Sequence, residues 1–173
     1  AFGAFWAAAT TGPAFAFALL LLAGLSCQLR LLCNLFDGMV AVEGGKSKPD
    51  GPFWNEAPDR AADFLILTGA GLAAGSLALG LAASAFAIAT AYIRELGRAE
   101  GLAPDFSGPM AKPQRMAFIT AGAVLGALEL WLYGSSYSLA ITLWIITIGA
   151  ALTALRRSAR MIAKLKRRAD ENG

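Results

Sequence analysis

The chain has 173 residues, of which 57% are hydrophobic and 16% are charged, and its formal net charge is +3. This composition is too apolar for an ordinary soluble domain. Because the chain has no His and only two Cys, it offers few ligands for a zinc or haem site.

The charged residues are clustered, which leaves three long uncharged stretches. These are residues 1–29, 64–93 and 116–155, the last interrupted only by Glu129. Apolar stretches of this length indicate transmembrane helices, since about 20 residues cross the hydrocarbon core. The sequence therefore predicts an all-α integral membrane protein. A very apolar core of a soluble protein is the disfavoured alternative.

In chain order, the first predicted elements are one partial and one complete span. Residues 1–12 are apolar and predict the end of a helix. Residues 13 to about 36 predict a complete transmembrane span, with Pro13 in its first turn. Residues 43–57 are rich in Gly, Lys, Pro and Asp, which predicts a loop.

The next predicted helix begins near residue 55 or 57, with Pro58 in its first turn, and continues into an apolar stretch. A break near residues 76–80 leads into a span that ends at Arg94. The glycines and alanines of residues 69–80 predict close packing between helix backbones, within the chain or at a dimer face.

The last part of the chain is predicted to contain a polar segment, two spans and a basic tail. These are residues 94–115, 116–133, 137–155 and 156–173. The basic residues of the tail are Arg156, Arg157, Arg160, Lys164, Lys166, Arg167 and Arg168. Directly after an apolar span, such a run favours contact with anionic lipid headgroups over nucleic acid, so we expect no nucleic-acid partner.

The positions of the basic residues predict the orientation in the membrane. Every Lys and Arg lies in residues 30–60, 94–115 or 156–168. An up-and-down path through the membrane places all three segments on one side, which the positive-inside rule assigns to the cytoplasm. The candidate chemistry is therefore predicted at the cytoplasmic interface.

Four oxygen-bearing side chains form two pairs in the first polar region. Asn34 is paired with Asp37, and Asn55 with Asp59. Residues three or four apart share one face of a helix, so each pair can direct its oxygens to one point. Two such faces brought together would suit Mg²⁺, Mn²⁺ or Ca²⁺. The structural alternative for Asp37 is an Asp-Gly turn at a helix end.

The spacing of this region also resembles a known family motif. The segment is Asn34-x2-Asp37-Gly38-x2-Ala41-Val42-x8-Gly51-x3-Asn55-x3-Asp59. In every interval it is similar to the motif of the CDP-alcohol phosphatidyltransferase family, Asp-x2-Asp-Gly-x2-Ala-Arg-x8-Gly-x3-Asp-x3-Asp. Asn34 and Asn55 stand where the family has Asp, and Val42 stands where it has Arg.

The resemblance implies an architecture. The family is a bundle of six transmembrane helices, of which this chain would contain about five complete ones, with most of the first helix missing. Residues 1–173 would form a single transmembrane domain with a basic cytoplasmic tail from residue 156. The resemblance also implies a homodimer in a bacterial inner membrane, with the active site facing the cytoplasm.

The resemblance further implies a reaction. A phosphatidyl or similar phospho-alcohol group would move from a CDP-linked lipid, such as CDP-diacylglycerol, to a small polar alcohol with or without a phosphate. CMP would be released, in phospholipid biosynthesis. By position in the motif, Gly38, Ala41 and Gly51 would line the donor site, and Asp37 would hold a metal on the pyrophosphate. Asp59 would take the proton of the acceptor hydroxyl.

The expected cofactor is Mg²⁺ or Mn²⁺, with Asn34, Asp37, Asn55 and Asp59 as its ligands. Only two of these four positions are charged. We therefore predict one well-bound ion rather than two, held chiefly by Asp37 and Asp59.

Other charged residues can support the site. Asp63 and Glu56 can restore acidity, although Glu56 fits equally well as a solvated acid in a first helical turn. Arg60 can pair with Asp63 or with a phosphate. The segment from residue 94 to 115 is similar to the one after helix four of family members, whose basic residues bind the acceptor's phosphate; these would be Arg94, Lys112 and Arg115. Cytoplasmic flank charges are the alternative.

Two functions remain open at this level. The first is a membrane transferase of the type just described. The second is a catalytically weakened member of the family that binds lipid or nucleotide or acts as a scaffold. A small transporter has little support, because the charges lie at one interface rather than at mid-membrane.

Overall fold

The computed structural model describes residues 1–43 and 50–172, with side chains described at all of these positions except 37, 38, 40–43, 52, 55 and 172. The described residues form six helices and their connections. The helices are α1 (Phe2–Thr10), α2 (Pro13–Glu43), α3 (Gly51–Ala73), α4 (Leu77–Ala99), α5 (Lys112–Tyr133) and α6 (Ser138–Asn172). The predicted all-α class is confirmed for this part of the chain.

Four of the described helices are long and apolar enough to cross a membrane. Their candidate spans are Pro13–Phe36, Leu77–Ala99, Lys112–Tyr133 and Ser138–Glu171. Many large apolar side chains on these helices are exposed, among them Leu25 on α2 and Trp131 on α5. Contact with lipid hydrocarbon is favourable for such side chains, whereas contact with water is not. The chain is thus built as a helical membrane protein.

The helices pack mainly in three pairs, α2 with α5, α3 with α4 and α4 with α6. The α3–α4 pair is closest where two glycines meet. A Cβ on Gly71 would lie 2.6 Å from the Cα of Gly80, and a Cβ on Gly80 would lie 2.7 Å from the carbonyl oxygen of Leu67. The predicted close backbone packing is confirmed. At these two glycines it lies within one chain, so they do not argue for a dimer face.

The loop predicted over residues 43–57 is wrong in its second half. Helix α3 begins at Gly51, with Pro52 in its first turn, and Pro58 lies inside the helix rather than at its start. Proline is tolerated in a first turn because its missing N–H has no partner there. The side chain of Trp54 also donates to Asp50, 3.0 Å away, across that turn. Helix α2 likewise continues past residue 36 to Glu43.

Two other helices extend beyond their predicted apolar spans. Helix α4 ends at Ala99 rather than at Arg94, and α6 continues from its apolar part through the basic tail to Asn172. Charged residues are good helix formers once the helix leaves the apolar layer, so hydropathy marks the membrane boundary and not the helix end. The polar ends of α2 to α6 meet on one side of the bundle.

The connection between α4 and α5 is fastened to α6. The backbone N–H of Met110 donates to Thr153 Oγ1 over 3.0 Å, and Arg157 Nε donates to the carbonyl oxygen of Ser107 over 2.9 Å. Arg157 also donates from Nη1 to the carbonyl oxygen of Thr90 on α4. The connection is therefore held in place at the polar end of the bundle.

Candidate functional site

Three helices bring charged side chains together at the polar end of the bundle. Arg30 and Asn34 lie one turn apart on α2, Asp59 and Asp63 lie one turn apart on α3, and Lys112 lies at the start of α5. Each pair on α2 and α3 shares a helix face. Within the described part of the chain α2 and α3 do not pack closely, but Arg30 and Asn34 reach Asp59 with their side chains, and Arg30 also reaches Asp63.

Asp59 is the centre of this cluster. Its Oδ1 accepts hydrogen bonds from Arg30 Nη2 and from Asn34 Nδ2, each 3.0 Å away. Its Oδ2 accepts from the ammonium group of Lys112. The side chain is only 13% exposed. Both oxygens are thus engaged, but by different helices: α2 holds Oδ1 and α5 holds Oδ2.

The surroundings of Asp59 keep it ionised. Burial alone would raise the pKa of its carboxyl group. The hydrogen bond and charge of Lys112, the charge of Arg30 and the amide of Asn34 outweigh burial and hold that pKa below its ordinary value. Folding stability from this carboxylate is therefore present above its unfolded pKa and is lost as the pH falls through the lowered folded pKa.

Asp63 is more deeply buried than Asp59 and forms ion pairs with two arginines. Its side chain is fully buried, with Arg30 Nη1 2.9 Å from Oδ1 and Arg115 Nη2 2.7 Å from Oδ2. A buried carboxylate is stable only when its charge and lone pairs are satisfied in this way. Both oxygens of Asp63 already have partners, so it balances arginine charge here rather than restoring the acidity of a metal site.

Arg115 is one of the most buried side chains of the protein, with 1% exposed. Besides Asp63, it donates to the carbonyl oxygen of Met110 over 3.1 Å and to Thr90 Oγ1 over 3.3 Å. Among the described residues, its Nε has no hydrogen-bond acceptor. A buried guanidinium N–H without an acceptor is costly.

A cavity of about 350 Å³ opens beside Lys112 and Arg115. Of the described residues that line it, five are cationic and none is acidic. The cationic residues are Arg60, Arg94, Lys112, Arg115 and Arg157. The other lining residues are Thr90, Ala91, Phe106, Ala111, Pro113 and Gln114. Cations concentrated in a concave, partly buried space favour an anionic ligand, with guanidinium groups suited to phosphate.

The predicted phosphate-binding residues Arg94, Lys112 and Arg115 all line this cavity. Arg157, which the sequence places in the basic tail, lines the cavity as well and was not predicted to do so. Arg157 is 5% exposed, whereas its neighbour Arg156 is exposed. Arg157 differs from the other basic residues of the tail in its position one turn after Thr153. That position lies on the face of α6 that packs against α4.

The rim of the cavity is an ion-pair network. Glu56 Oε1 accepts from Arg94 Nη2 at 2.6 Å and from Arg60 Nη2 at 3.0 Å. Arg94 also pairs with Glu95 at 2.9 Å and lies over the ring of Phe106 at 5.2 Å. The prediction of a merely solvated Glu56 is wrong, because this acid positions two cavity arginines. Arg60 pairs with Glu56, and no ion pair joins it to Asp63 in the described part of the chain.

Most of the predicted donor site lies outside the described side chains. Asp37, Gly38 and Ala41 belong to the last turns of α2, and Asn55 to the second turn of α3, but their side chains are not described. Gly51 is described as the first residue of α3, where an added Cβ would meet nothing within 4 Å. The donor-binding roles of these residues stay predictions.

The described half of the predicted metal site does not fit a divalent ion as arranged. Asn34 directs its N–H, not its oxygen, into the cluster, and each oxygen of Asp59 already accepts from a cationic side chain. Within residues 1–43 and 50–172, at the positions whose side chains are described, no group of three or more Cys, Asp and Glu is placed to hold a metal. Metal binding at Asp37 and Asn55 stays a prediction.

Comparison with known proteins adds no relative. The chain matches no protein-family model, no curated protein and no solved structure.

Proposed function

We propose that this chain is a membrane transferase of the CDP-alcohol phosphatidyltransferase type, with its site at the cytoplasmic face of a bacterial inner membrane. It transfers a phosphatidyl or similar group from a CDP-linked lipid to a small alcohol. Two adjacent features carry the proposal. One is the ionised carboxylate of Asp59, and the other is the cavity of about 350 Å³ that is lined by five cations.

The proposed chemistry divides between these two features. The cavity holds the phosphate of the acceptor alcohol, with Arg94, Lys112 and Arg115 among the cations that line it. The acceptor hydroxyl then lies near Asp59. Its oxygen forms a bond to the lipid-linked phosphorus of the donor, the bond from that phosphorus to the bridging oxygen breaks, CMP leaves, and Asp59 takes the hydroxyl proton.

The charge of the cavity favours an acceptor that carries a phosphate. A neutral polyol needs hydrogen-bond acceptors as well as donors from the protein, and a cationic amino alcohol would be repelled. The lining supplies mainly donors on cationic groups. Among small alcohols, the cavity is therefore best suited to a phosphorylated polyol.

A matched acceptor panel tests the proposal. Purified protein in detergent or nanodiscs is incubated with CDP-diacylglycerol and Mg²⁺ or Mn²⁺, and CMP release is measured. Glycerol is compared with glycerol phosphate, and inositol with inositol phosphate. We expect CMP release with at least one phosphorylated acceptor, and less CMP release with the matching unphosphorylated alcohol. Folded protein that releases no CMP with any acceptor contradicts the proposal.

The second candidate is a family-like protein that binds lipid or nucleotide without turnover. It is favoured by Asn34, which donates to Asp59 where the motif has another carboxylate. Replacing Asn34 and Asn55 by Asp distinguishes the two functions. If the native protein is inert and the double replacement releases CMP, the binding function is correct.

The remaining expectations from the resemblance belong to the same proposal. They are the six-helix family bundle, the homodimer and a divalent ion. Cross-linking in native membranes tests the dimer. A Mn²⁺ titration of native protein and of Asp37→Ala tests whether one ion binds through Asp37, independently of turnover.

A further inference from the structure

Lys112 belongs to two parts of the site at once. Its ammonium group donates to Asp59 Oδ2, and its side chain lines the cation-rich cavity. The other residues that hold Asp59 by hydrogen bonds, Arg30 and Asn34, are not among the lining residues. Among the described residues, Lys112 therefore both donates a hydrogen bond to Asp59 and lines the cation-rich cavity.

The two oxygens of Asp59 differ in what holds them. Oδ1 has two partners on α2, and Arg30 Nη2 also donates to the Asp59 carbonyl oxygen at 3.1 Å. Oδ2 has Lys112, with the next cation, Arg60, 4.0 Å away. Removing the ammonium group would free Oδ2 while Oδ1 stays fixed. The carboxylate would then keep its position and gain one open lone pair.

A lysine is suited to such an exchange. Its ammonium group is a point charge on a flexible stem with three rotatable donors, unlike the planar and fixed guanidinium fork of Arg30. Four arginines line the cavity together with Lys112, and none of the described lining residues is acidic. A phosphate there would compete directly with Asp59 for the same ammonium group.

We infer that Lys112 exchanges partners, leaving Asp59 Oδ2 for a phosphate that enters the cavity and so opening that oxygen to the acceptor hydroxyl. The inference rests on the proposed function, because the entering phosphate is taken to be that of a soluble acceptor alcohol. Lys112 is thus a positioning residue that links acceptor binding to the availability of Asp59. Only hydrogen bonds are exchanged, and no covalent bond changes.

The test uses inorganic phosphate as the probe and needs no donor lipid or turnover. Phosphate binding to detergent-solubilised protein is measured by calorimetry for the wild type, Asp59→Asn, Lys112→Met and the double variant. Asp59→Asn removes the competitor, so phosphate should bind about fivefold or more tightly. Lys112→Met should weaken phosphate about tenfold, and the double variant should match Lys112→Met alone.

The matched control is Asp50→Asn. Asp50 is an exposed acid at the start of α3 whose carboxylate accepts from Trp54. It carries the same charge as Asp59 but does not hold Lys112 in any described contact. If Asp50→Asn tightens phosphate as much as Asp59→Asn does, the effect is general electrostatics and the inference is overturned. It is also overturned if Asp59→Asn acts equally with and without Lys112, or if the wild type binds no phosphate.

A phosphate-bound structure of the wild type decides the question if a variant fails to fold. We expect the Lys112 ammonium group to contact the phosphate and to have left Asp59 Oδ2. An ammonium group still bound to Asp59 in the phosphate-loaded protein overturns the inference. The chemistry of a phosphate is shared by soluble esters and lipid headgroups. If phosphate binds equally well in nanodiscs with and without anionic lipid, a soluble ester is supported as the source of the phosphate. If anionic lipid competes and weakens phosphate binding, the assignment to a soluble ester is overturned.

These outcomes are separate from those of the proposed function. Partner exchange can fail while CMP release is observed, and the transferase then stands without this role for Lys112. Conversely, phosphate-driven exchange without any CMP release supports the exchange in a protein that only binds.

Discussion

Two acids at opposite ends of the bundle have contrasting partners. Glu129, near the end of α5, uses Oε2 to accept from the backbone N–H groups of Tyr137 and Ser138, at 2.9 and 2.8 Å, and from the Ser138 hydroxyl at 2.7 Å. Asp59 instead accepts from side chains of α2 and α5, two of them cationic. Glu129 caps the start of α6, as acids commonly do at helix N-termini.

The difference separates an acid that caps a helix from the acid that we propose for the reaction. The donors of Glu129 are two backbone N–H groups and one hydroxyl at the start of α6, which the carboxylate caps. The partners of Asp59 are side chains, one of which has a second possible partner in the cavity. A membrane-protein carboxylate with exchangeable cationic partners beside a cavity is the candidate for chemistry. The variants below test this contrast, from the largest expected effect to the smallest.

Asp59→Asn should have the largest effect. The amide keeps the shape and one acceptor oxygen but cannot take a proton at neutral pH. A general base contributes about 10²- to 10⁴-fold in rate, so CMP release should fall by that factor while donor affinity changes little. Steady-state rates and donor titrations measure the two separately. A rate within about threefold of the wild type would remove Asp59 from the reaction.

Asp63→Asn should mainly reduce stability. It leaves Arg30 and Arg115 facing each other without the carboxylate that neutralises both. Breaking a buried ion pair by removing one partner costs about 3–5 kcal/mol. Chemical unfolding in detergent, followed by circular dichroism, measures the loss. Unfolding midpoints that match the wild type would mean that the arginines are not held by Asp63.

Arg94→Gln should weaken the acceptor selectively. Arg94 lines the cavity, whereas Arg98, one turn later, is 54% exposed and outside the described lining. Loss of one charge-assisted hydrogen bond should raise the KM of a phosphorylated acceptor about tenfold and spare donor affinity. Arg98→Gln is the matched control and should change neither. Equal effects of the two substitutions would point to general surface charge.

Glu129→Ala should have the smallest effect and sharpen the contrast. Loss of a helix cap costs about 1 kcal/mol, which thermal unfolding in the same detergent detects. Because Glu129 is at the other end of the bundle, CMP release per folded molecule should equal that of the wild type. A large loss of turnover would show that the two ends are not independent.

The sequence predicted the parts of this structure that depend on local pattern. Uncharged runs located the candidate spans on α2, α4, α5 and α6, whereas the predicted apolar stretch on α3 is not among the candidate spans of the described residues. The spacing of Asn34 with Asp37 and of Asn55 with Asp59 predicted that the two pairs face one point, and their described members, Asn34 and Asp59, are hydrogen-bonded at 3.0 Å. Arg94, Lys112 and Arg115 were predicted together and line one cavity.

The parts that were missed depend on contacts between distant segments. Gly, Pro and Asp near residue 51 favour a loop locally, but a helix forms once Pro52 occupies its first turn. The ion pair of Arg115 with Asp63 could not be predicted, because the two residues lie on different helices. Arg157 cannot be told from six neighbouring basic residues without knowing which face of α6 is buried. The ion pairs of Arg30 could not be predicted either, because its two carboxylate partners lie on α3.

The most direct test of the account is a density map of the protein with a CDP-linked lipid and a phosphorylated acceptor bound. We predict the acceptor's phosphate in the cavity, in contact with Arg94, Lys112 and Arg115, and its hydroxyl within about 2.6–3.2 Å of Asp59 Oδ2. A phosphate bound elsewhere, or an acceptor hydroxyl remote from Asp59, would contradict the assignment of this site.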